Sequence, residues 1–217
     1  MEKQLDNYVI QKRLAPALFG DVLLCEHRPT GDRVAVKRVL LSAAAEKKTI
    51  ASKKRVRENV AFERELYHKF RAFGNHRNVL ALRDEIEFDG YLYMIFDFCA
   101  RGELYEIVSG AADGKLDLST TRDYLTQIAS GVHFMHSNGF AHRDLSLENV
   151  LVTDDNTCKV CDFGLARCRR PALERDGWQD VLHGAGSSLW LKLRPQEGRR
   201  VVARRDVVHH ALWCPAS

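Results

Sequence analysis

Much is missing from this sequence of 217 residues, and each absence narrows what it can be. No window reaches the roughly 18 apolar residues that crossing a bilayer requires, so no membrane span is expected. The first 30 residues, MEKQLDNYVIQKRLAPALFGDVLLCEHRPT, lack the basic start and apolar run of a secretory leader. An intracellular, cytoplasmic location is therefore expected, with the nucleus left open. In that compartment the six cysteines read as thiols rather than as a disulfide framework. There is no internal repeat and no low-complexity linker. A content of 45% hydrophobic and 29% charged residues is ordinary for one large domain or two small lobes.

What is present is unevenly spread. Residues 1–166 hold 23 Lys and Arg against 24 Asp and Glu, whereas residues 167–217 hold 10 against 5, so the net charge of +4 belongs entirely to the tail. Nine of those ten cations are arginine, in pairs such as Arg199-Arg200 and Arg204-Arg205. An arginine-rich arm for nucleic acid is one reading. So abrupt a change of composition also has a plainer explanation, given below.

From Tyr8 to Val39 apolar and polar residues alternate around turn signals at AlaPro 15–16 and ThrGlyAsp 30–32, which suggests three antiparallel strands. Residues 43–73, rich in Ala, Lys, Glu and Leu, suggest one long helix with a break near Thr49. EIEFD and YLYMIFDFC flank an AspGly pair, a strong hairpin signal, and lead into a crossing segment at Cys99 to Gly102. Beyond Leu104 the period becomes helical: ELYEIVSGA, then STTRDYLTQIASGVHFMHSNG, where Tyr124, Ile128, Val132 and Met135 recur at three and four residues and Gly139 stops the run. NVLV and CKVC form two short strands about an AspAsp turn.

Three motifs carry chemistry. HRDLSLENV stands at 142–150, Asp162-Phe163-Gly164 follows Asn149 by thirteen residues, and Val34-Ala35-Val36-Lys37 lies upstream. In order and spacing they resemble the protein kinase family, over residues 8–166. The resemblance implies an α+β, two-lobed protein kinase-like fold: a small antiparallel sheet lobe with one long helix, then an incomplete, mainly helical second lobe. The boundaries expected are 8–98 for the N-lobe, 99–166 for the partial C-lobe and 167–217 for a basic, disordered tail.

Phosphoryl transfer asks for charge neutralisation around a triphosphate and alignment of a hydroxyl, and each residue type answers one need. Lys37 supplies a cation for the ATP phosphates, and a carboxylate must hold that flexible stem in place. Glu65 is favoured for this role, from the FEREL run and the count back from HRNVL at 76–80; Glu63 is the runner-up. Asn149 and Asp162 offer oxygen ligands suited to Mg²⁺. Asp144 is placed to orient the acceptor hydroxyl and take its proton, while His142 and Arg143 read as structural, Arg143 within reach of an activation-segment phosphate.

The family's nucleotide-covering loop, GxGxxGxV, falls on Ala15, Ala17, Gly20 and Val22, so two glycines are replaced by alanine. Alanine tolerates positive φ poorly, which predicts weakened ATP affinity. The resemblance places Ala35 against the nucleotide, Phe96 at the gatekeeper position and Asp97 to Cys99 at the adenine hinge. Glu103 reads equally as a contact for ribose or a basic substrate residue and as an ordinary exposed helix-start glutamate. The Cys158-x-x-Cys161 pair lacks a second ligand pair, as does His209-His210, and neither reads as a metal site. The additional segment SAAAEKKTIASKK after Lys37 reads as a lengthened solvated loop or helix in preference to a partner-binding insert.

After DFG the family continues to an APE motif and then to DxWSxG, and the sequence shows neither. Reading each codon from its second base, WQDVLHGAG at 178–186 permits GKTYYMAPE, and RRVVARRDVVHHALW permits DVWSLGVMLFIMLxG. Both motifs return from one offset, so residues from a point between Ala166 and Gly177 onward read as out-of-frame translation, and the basic tail then needs no function. Ser146 stands where Ser/Thr kinases carry lysine two residues after the catalytic aspartate, and the recovered text places Lys or Arg before TYY. The cation is thus expected to have moved to the facing loop.

The leading expectation is an ATP- and Mg²⁺-dependent Ser/Thr protein kinase, damaged after DFG, acting on protein substrates and with neither nucleic acid nor membrane as partner. The alternative is a truncated, catalytically inactive kinase-like binding or regulatory module. The chain as written is expected to lack transferase activity and, with Ile128, Val132 and Met135 short of packing partners, to be poorly soluble.

Overall fold

The structure, a computed structural model, describes residues 7–168, which form two compact units. The first comprises the chain to His76 together with Leu80–Cys99; the second comprises Arg77–Val79 and the chain from Ala100. The excursion of Arg77–Val79 is something a single boundary near residue 98 does not anticipate.

The first unit is a five-stranded antiparallel sheet in the order β1-β2-β3-β5-β4, built from β1 (Tyr8–Ala17), β2 (Gly20–His27), β3 (Asp32–Leu40), β4 (Leu82–Phe88) and β5 (Tyr91–Asp97). One face buries Tyr8, Leu23, Cys25, Val34, Val36, Tyr93 and Ile95 as a single core. Alternation sends Ala35, Lys37, Met94 and Phe96 to the other face, in the register Ala35↔Phe96 and Lys37↔Met94. The AspGly signal is the β4–β5 turn, with φ of 51° at Asp89 and 77° at Gly90, a conformation open to glycine at no steric cost. The AlaPro pair is no turn. It lies inside β1 beside a bulge at Arg13/Ala15, and the reversal falls at Leu18-Phe19, because Ala17 pairs with Gly20.

The helix expected over 43–73 with a break near Thr49 is two helices, parted around that residue. α1 (Leu41–Glu46) ends on Lys47 in the left-handed conformation, and α2 (Val60–Ala72) begins at Asn59, whose side chain accepts the Phe62 N–H at 3.2 Å. Between them the chain forms a small hydrogen-bonded hairpin. Lys48 bridges Arg55, the Thr49 N–H donates to the Lys54 carbonyl at 3.0 Å, and the Val56 N–H donates to the Lys47 carbonyl at 3.0 Å. Thr49 is buried and its hydroxyl lies 2.8 Å from that of Ser52. The Ile50 N–H then donates to the Leu18 carbonyl at 3.1 Å, seating the hairpin on the β1–β2 turn. These contacts override a helical composition that carries no stop signal.

The second unit is organised around α4 (Leu118–Ser137). Asp117 caps it, accepting the Thr120 N–H at 2.9 Å, and Gly139 follows its end at φ 81°. Around it lie β6 (Gly102–Glu103), α3 (Leu104–Ser109), β7 (Phe140–Ala141), β8 (Val150–Val152), β9 (Cys158–Val160) and β10 (Arg167–Cys168), paired as β6-β8-β9 and β10-β7. Asn78 fastens the unit: its amide donates to Gln127 at 3.1 Å and to the Cys158 carbonyl at 3.0 Å, and its own carbonyl accepts the Val160 N–H at 2.9 Å. α4 passes so close that a Cβ on Gly131 would sit 2.4 Å from the Asn78 carbonyl oxygen.

The expected apolar patch is not exposed. Tyr124, Ile128, Val132 and Met135 are all buried. Among the described residues no helix is long and apolar enough to cross a membrane. His209-His210, the WQDVLHGAG stretch and the rest of the tail lie outside the described residues.

Candidate active site

Lys37 sits on β3, on the sheet face opposite the Val34–Val36 core. Its ammonium donates to both carboxylate oxygens of one glutamate, at 2.7 and 2.9 Å, and that glutamate is Glu63. The assignment to Glu65 is therefore corrected. On α2 the inward positions are Val60, Glu63, Leu66, Tyr67 and Phe70, spaced by three and four. Glu65, two residues on from Glu63, falls on the opposite side and pairs at the surface with Lys69 at 2.8 Å. Glu63 is 2% exposed, so its charge has little water and needs the partner that Lys37 provides. α2 is held in turn by Arg64, which grips Glu85 of β4 through two hydrogen bonds, and by Tyr67, whose ring lies 5.0 Å from that of Phe96. Phe96, expected at the gatekeeper position, is thus a core aromatic.

In the nucleotide-covering loop the two alanines and the glycine stand in different settings. Ala15 and Ala17 pair with Val22 and Gly20 across the β1–β2 hairpin, just past the bulge at Arg13/Ala15, and neither has positive φ. Gly20 is different: a Cβ there would meet the Arg38 carbonyl oxygen at 1.9 Å. Glycine is required where the strand must press against β3, and alanine is tolerated where it need not. Val22 faces Lys37 in the β2–β3 register. Asp97 ends β5, and Cys99 is buried with its thiol 3.9 Å from the Asp97 carbonyl.

In the second unit HRDLSLEN forms a loop without regular structure, held by its own polar groups. The Asn149 amide donates to the Asp144 carbonyl at 2.7 Å and to the Asp144 carboxylate at 3.2 Å. The Cys161 N–H donates to the Asn149 carbonyl at 3.0 Å, which brings the loop beside Asp162. His142 is fully enclosed: its Nε2 donates to the Cys161 carbonyl at 2.9 Å and its Nδ1 accepts the Asp144 N–H at 3.3 Å. Burial pushes the His142 pKa down, keeping the ring neutral in the tautomer those bonds require. Its ring meets that of Phe163 edge-on at 5.4 Å, and Phe163 is wholly buried. Arg143 and Asp162 take φ of 70° and 61°, a conformation that costs free energy in residues with a Cβ and clusters where function fixes the backbone. Neither could be read from the sequence.

With its NH₂ group turned to Asp144, Asn149 keeps its amide oxygen for a hard cation, and the Asp162 carboxylate is the second oxygen donor. The donor set fits Mg²⁺. Glu103 follows Gly102 at the head of α3; burial first, then the neighbouring charges of Glu106 and Glu148, raise its pKa. Cys158 is buried on β9 and burial pushes its thiol up to about 12, the state of an inert core cysteine.

Comparison with known proteins identifies the family. The protein kinase domain matches residues 8–181, and the chain belongs to the protein kinase family. Over 168 residues it is 32% identical to the maternal embryonic leucine zipper kinase of Danio rerio, an alignment covering 77% of this chain and 22% of that protein. It is 33% identical over 163 residues to the cAMP-dependent protein kinase catalytic subunit 3 of Drosophila melanogaster, covering 75% and 26%. It is 32% identical over 151 residues to the phosphorylase b kinase gamma catalytic chain, liver/testis isoform, of Mus musculus, covering 70% and 35%. The chain thus spans between 22% and 35% of the length of these relatives. Membership carries the general use of ATP and Mg²⁺.

Proposed function

We propose that this sequence carries the catalytic machinery of a protein serine/threonine kinase, transferring the γ-phosphoryl group of ATP to Ser or Thr hydroxyls of protein substrates. The observation that carries the reading is the bonded group of Asp144 and Asn149, tied through Cys161 to the neighbouring Asp162. Asp144 accepts the hydroxyl proton as the acceptor oxygen bonds to phosphorus and the bond to the departing ADP oxygen breaks. Asn149 and Asp162 hold Mg²⁺, which when bound offsets the negative charge of the phosphates. Lys37, steadied by Glu63, takes the phosphate oxygens; Gly20, Val22 and Ala35 line the nucleotide, and backbone groups of Asp97 to Cys99 meet adenine. Ser146, which lacks the Ala or Arg pattern of tyrosine kinases, supports the acceptor class.

Residues from a point between Ala166 and Gly177 onward are out-of-frame translation of the remaining C-lobe. Two features support this: the charge break and the two motifs recovered by one offset. The test is phosphoryl transfer to a mixed Ser/Thr peptide substrate, measured on the chain as written and on one shifted by a base after codon 166. Transfer confined to the shifted chain, and abolished by Asp144→Asn, is the expected result. ATP binding without transfer by both chains would replace this reading with the regulatory module. In the shifted chain, exchanging Ser146 for Lys and the Lys before TYY for Ser is expected to preserve activity.

A further inference from the structure

The hairpin between α1 and α2 holds none of the residues proposed above for ATP, Mg²⁺ or the protein acceptor. Residues 47–57 read KKTIASKKRVR, with six Lys and Arg, no acid and no aromatic ring. All six cations are exposed. Lys48 pairs with Glu46 at 3.0 Å, but Lys47, Lys54, Arg55 and Arg57 have no ion-pair partner among the described residues. Concentrating such charge costs self-repulsion, yet the segment is not loose. The Lys48–Arg55 bridge, the buried Thr49 and the Ile50 bond to Leu18 give it a fixed shape. That shape also presents large aliphatic side chains: Ile50 is 38% exposed, and Leu18, which it touches through the backbone, is 42% exposed. Leu14, on the same β1–β2 hairpin as Leu18 and beside exposed Lys12 and Arg13, is 39% exposed.

We propose that this basic, aliphatic-centred hairpin is a docking surface for an anionic phospholipid bilayer. The cations lie where lipid phosphates would attract them, an attraction that adds per Lys or Arg and falls off within a Debye length. Ile50 and Leu18 supply apolar area for the boundary between headgroups and acyl chains, which strengthens binding beyond charge alone. A lipid surface is fluid and arranges itself around separated cations, so no preshaped pocket is needed. Single-stranded nucleic acid is disfavoured because residues 47–57 offer no ring on which a base could stack. The basic tail is disfavoured as an occupant by its own charge, 10 cations against 5 acids. The sequence suggested no membrane partner because it has no apolar span; a peripheral contact needs none.

The test is flotation of the full chain with vesicles on a density gradient, in which aggregates sink and bound protein rises. Vesicles of phosphatidylcholine alone are compared with vesicles in which about a third of the lipid is phosphatidylserine, the share that sets an anionic surface potential. Flotation is expected only with phosphatidylserine and is expected to fade as salt is raised. Lys53→Glu/Lys54→Glu/Arg57→Glu lowers the bound fraction at least about tenfold, since each charge contributes separately to the attraction. Ile50→Ser lowers it a few-fold at unchanged charge. Arg71→Glu/Lys115→Glu/Arg122→Glu, an equal charge change elsewhere, leaves it intact. All of these residues are exposed, and circular dichroism checks that each variant folds. Flotation retained by the hairpin variant would assign binding to the tail and overturn the proposal. So would equal loss in the control variant, or capture of DNA or polyglutamate by a chain that ignores the vesicles.

Discussion

The two halves of the chemistry are held by different means. In the first unit Lys37 and Glu63 stand on a regular strand and a regular helix, and burial of the glutamate enforces their pairing. In the second unit Asp144, Asn149 and Asp162 stand on irregular backbone, fixed by side chain-to-backbone hydrogen bonds, an enclosed histidine and two residues at positive φ. Regular elements place a long cationic stem well, because a strand sets where the stem starts and a buried carboxylate on a helix holds its end. Several short oxygen-bearing side chains that must converge need backbone turns that helices and strands do not provide.

Substitutions separate the two designs. The largest effect is expected at Asp144, the proposed proton acceptor: Asp144→Asn should lower kcat of the chain shifted by one base after codon 166 by about 10²–10⁴-fold. Glu63→Ala comes next. It removes the carboxylate that holds the Lys37 ammonium and opens a space on the buried face of α2, and should cost about 2–3 kcal/mol in urea unfolding, below the range for fully buried pairs because Lys37 keeps some water. Gly131→Ala sets helix propensity, which favours alanine by about 1 kcal/mol, against a backbone clash. The clash should win, giving a net loss of about 1–3 kcal/mol. A stabilised variant would mean that α4 and Asn78 part easily.

His142 supplies the pH test. Its folded pKa lies below its ordinary 6.5, so below that value the unfolded chain takes up a proton that the folded chain refuses. The histidine's contribution to stability is complete above about pH 6.5 and declines as pH falls further. A denaturant midpoint followed from pH 8 to pH 5 should drop in the native chain and drop less in His142→Asn. The smallest effect belongs to Glu65→Ala, which removes a solvated i,i+4 pair worth about 0.3–0.5 kcal/mol. Equal losses at Glu63 and Glu65 would erase the distinction between the buried and the exposed face of α2.

The strands were legible because alternation and the AspGly turn are local signals, and the motif residues because their spacing is characteristic of the family. The break between α1 and α2 was placed near Thr49, but the hairpin that fills it was not foreseen. Its cause is tertiary, a left-handed Lys47, a buried Thr49 and a bond to Leu18, in a stretch whose composition favours helix. Glu63 was within reach: counting from Val60 to Phe70 at three and four residues puts Glu63 inside and Glu65 outside, a stronger guide than the FEREL pattern. Positive φ at Arg143 and Asp162 leaves no trace in residue type, because neither is a glycine.

The cysteines bear on how the protein can be handled. Burial raises the thiols of Cys25 and Cys158 to about 11 and 12, leaving almost no thiolate at neutral pH, and Cys99 and Cys161 are enclosed as well. Among the described residues only Cys168 is exposed, on the short strand that follows DFG. In a chain with Cys214 replaced by serine, a maleimide dye would therefore attach at one place, six residues beyond Asp162, and turn that segment into an optical reporter with no engineered cysteine.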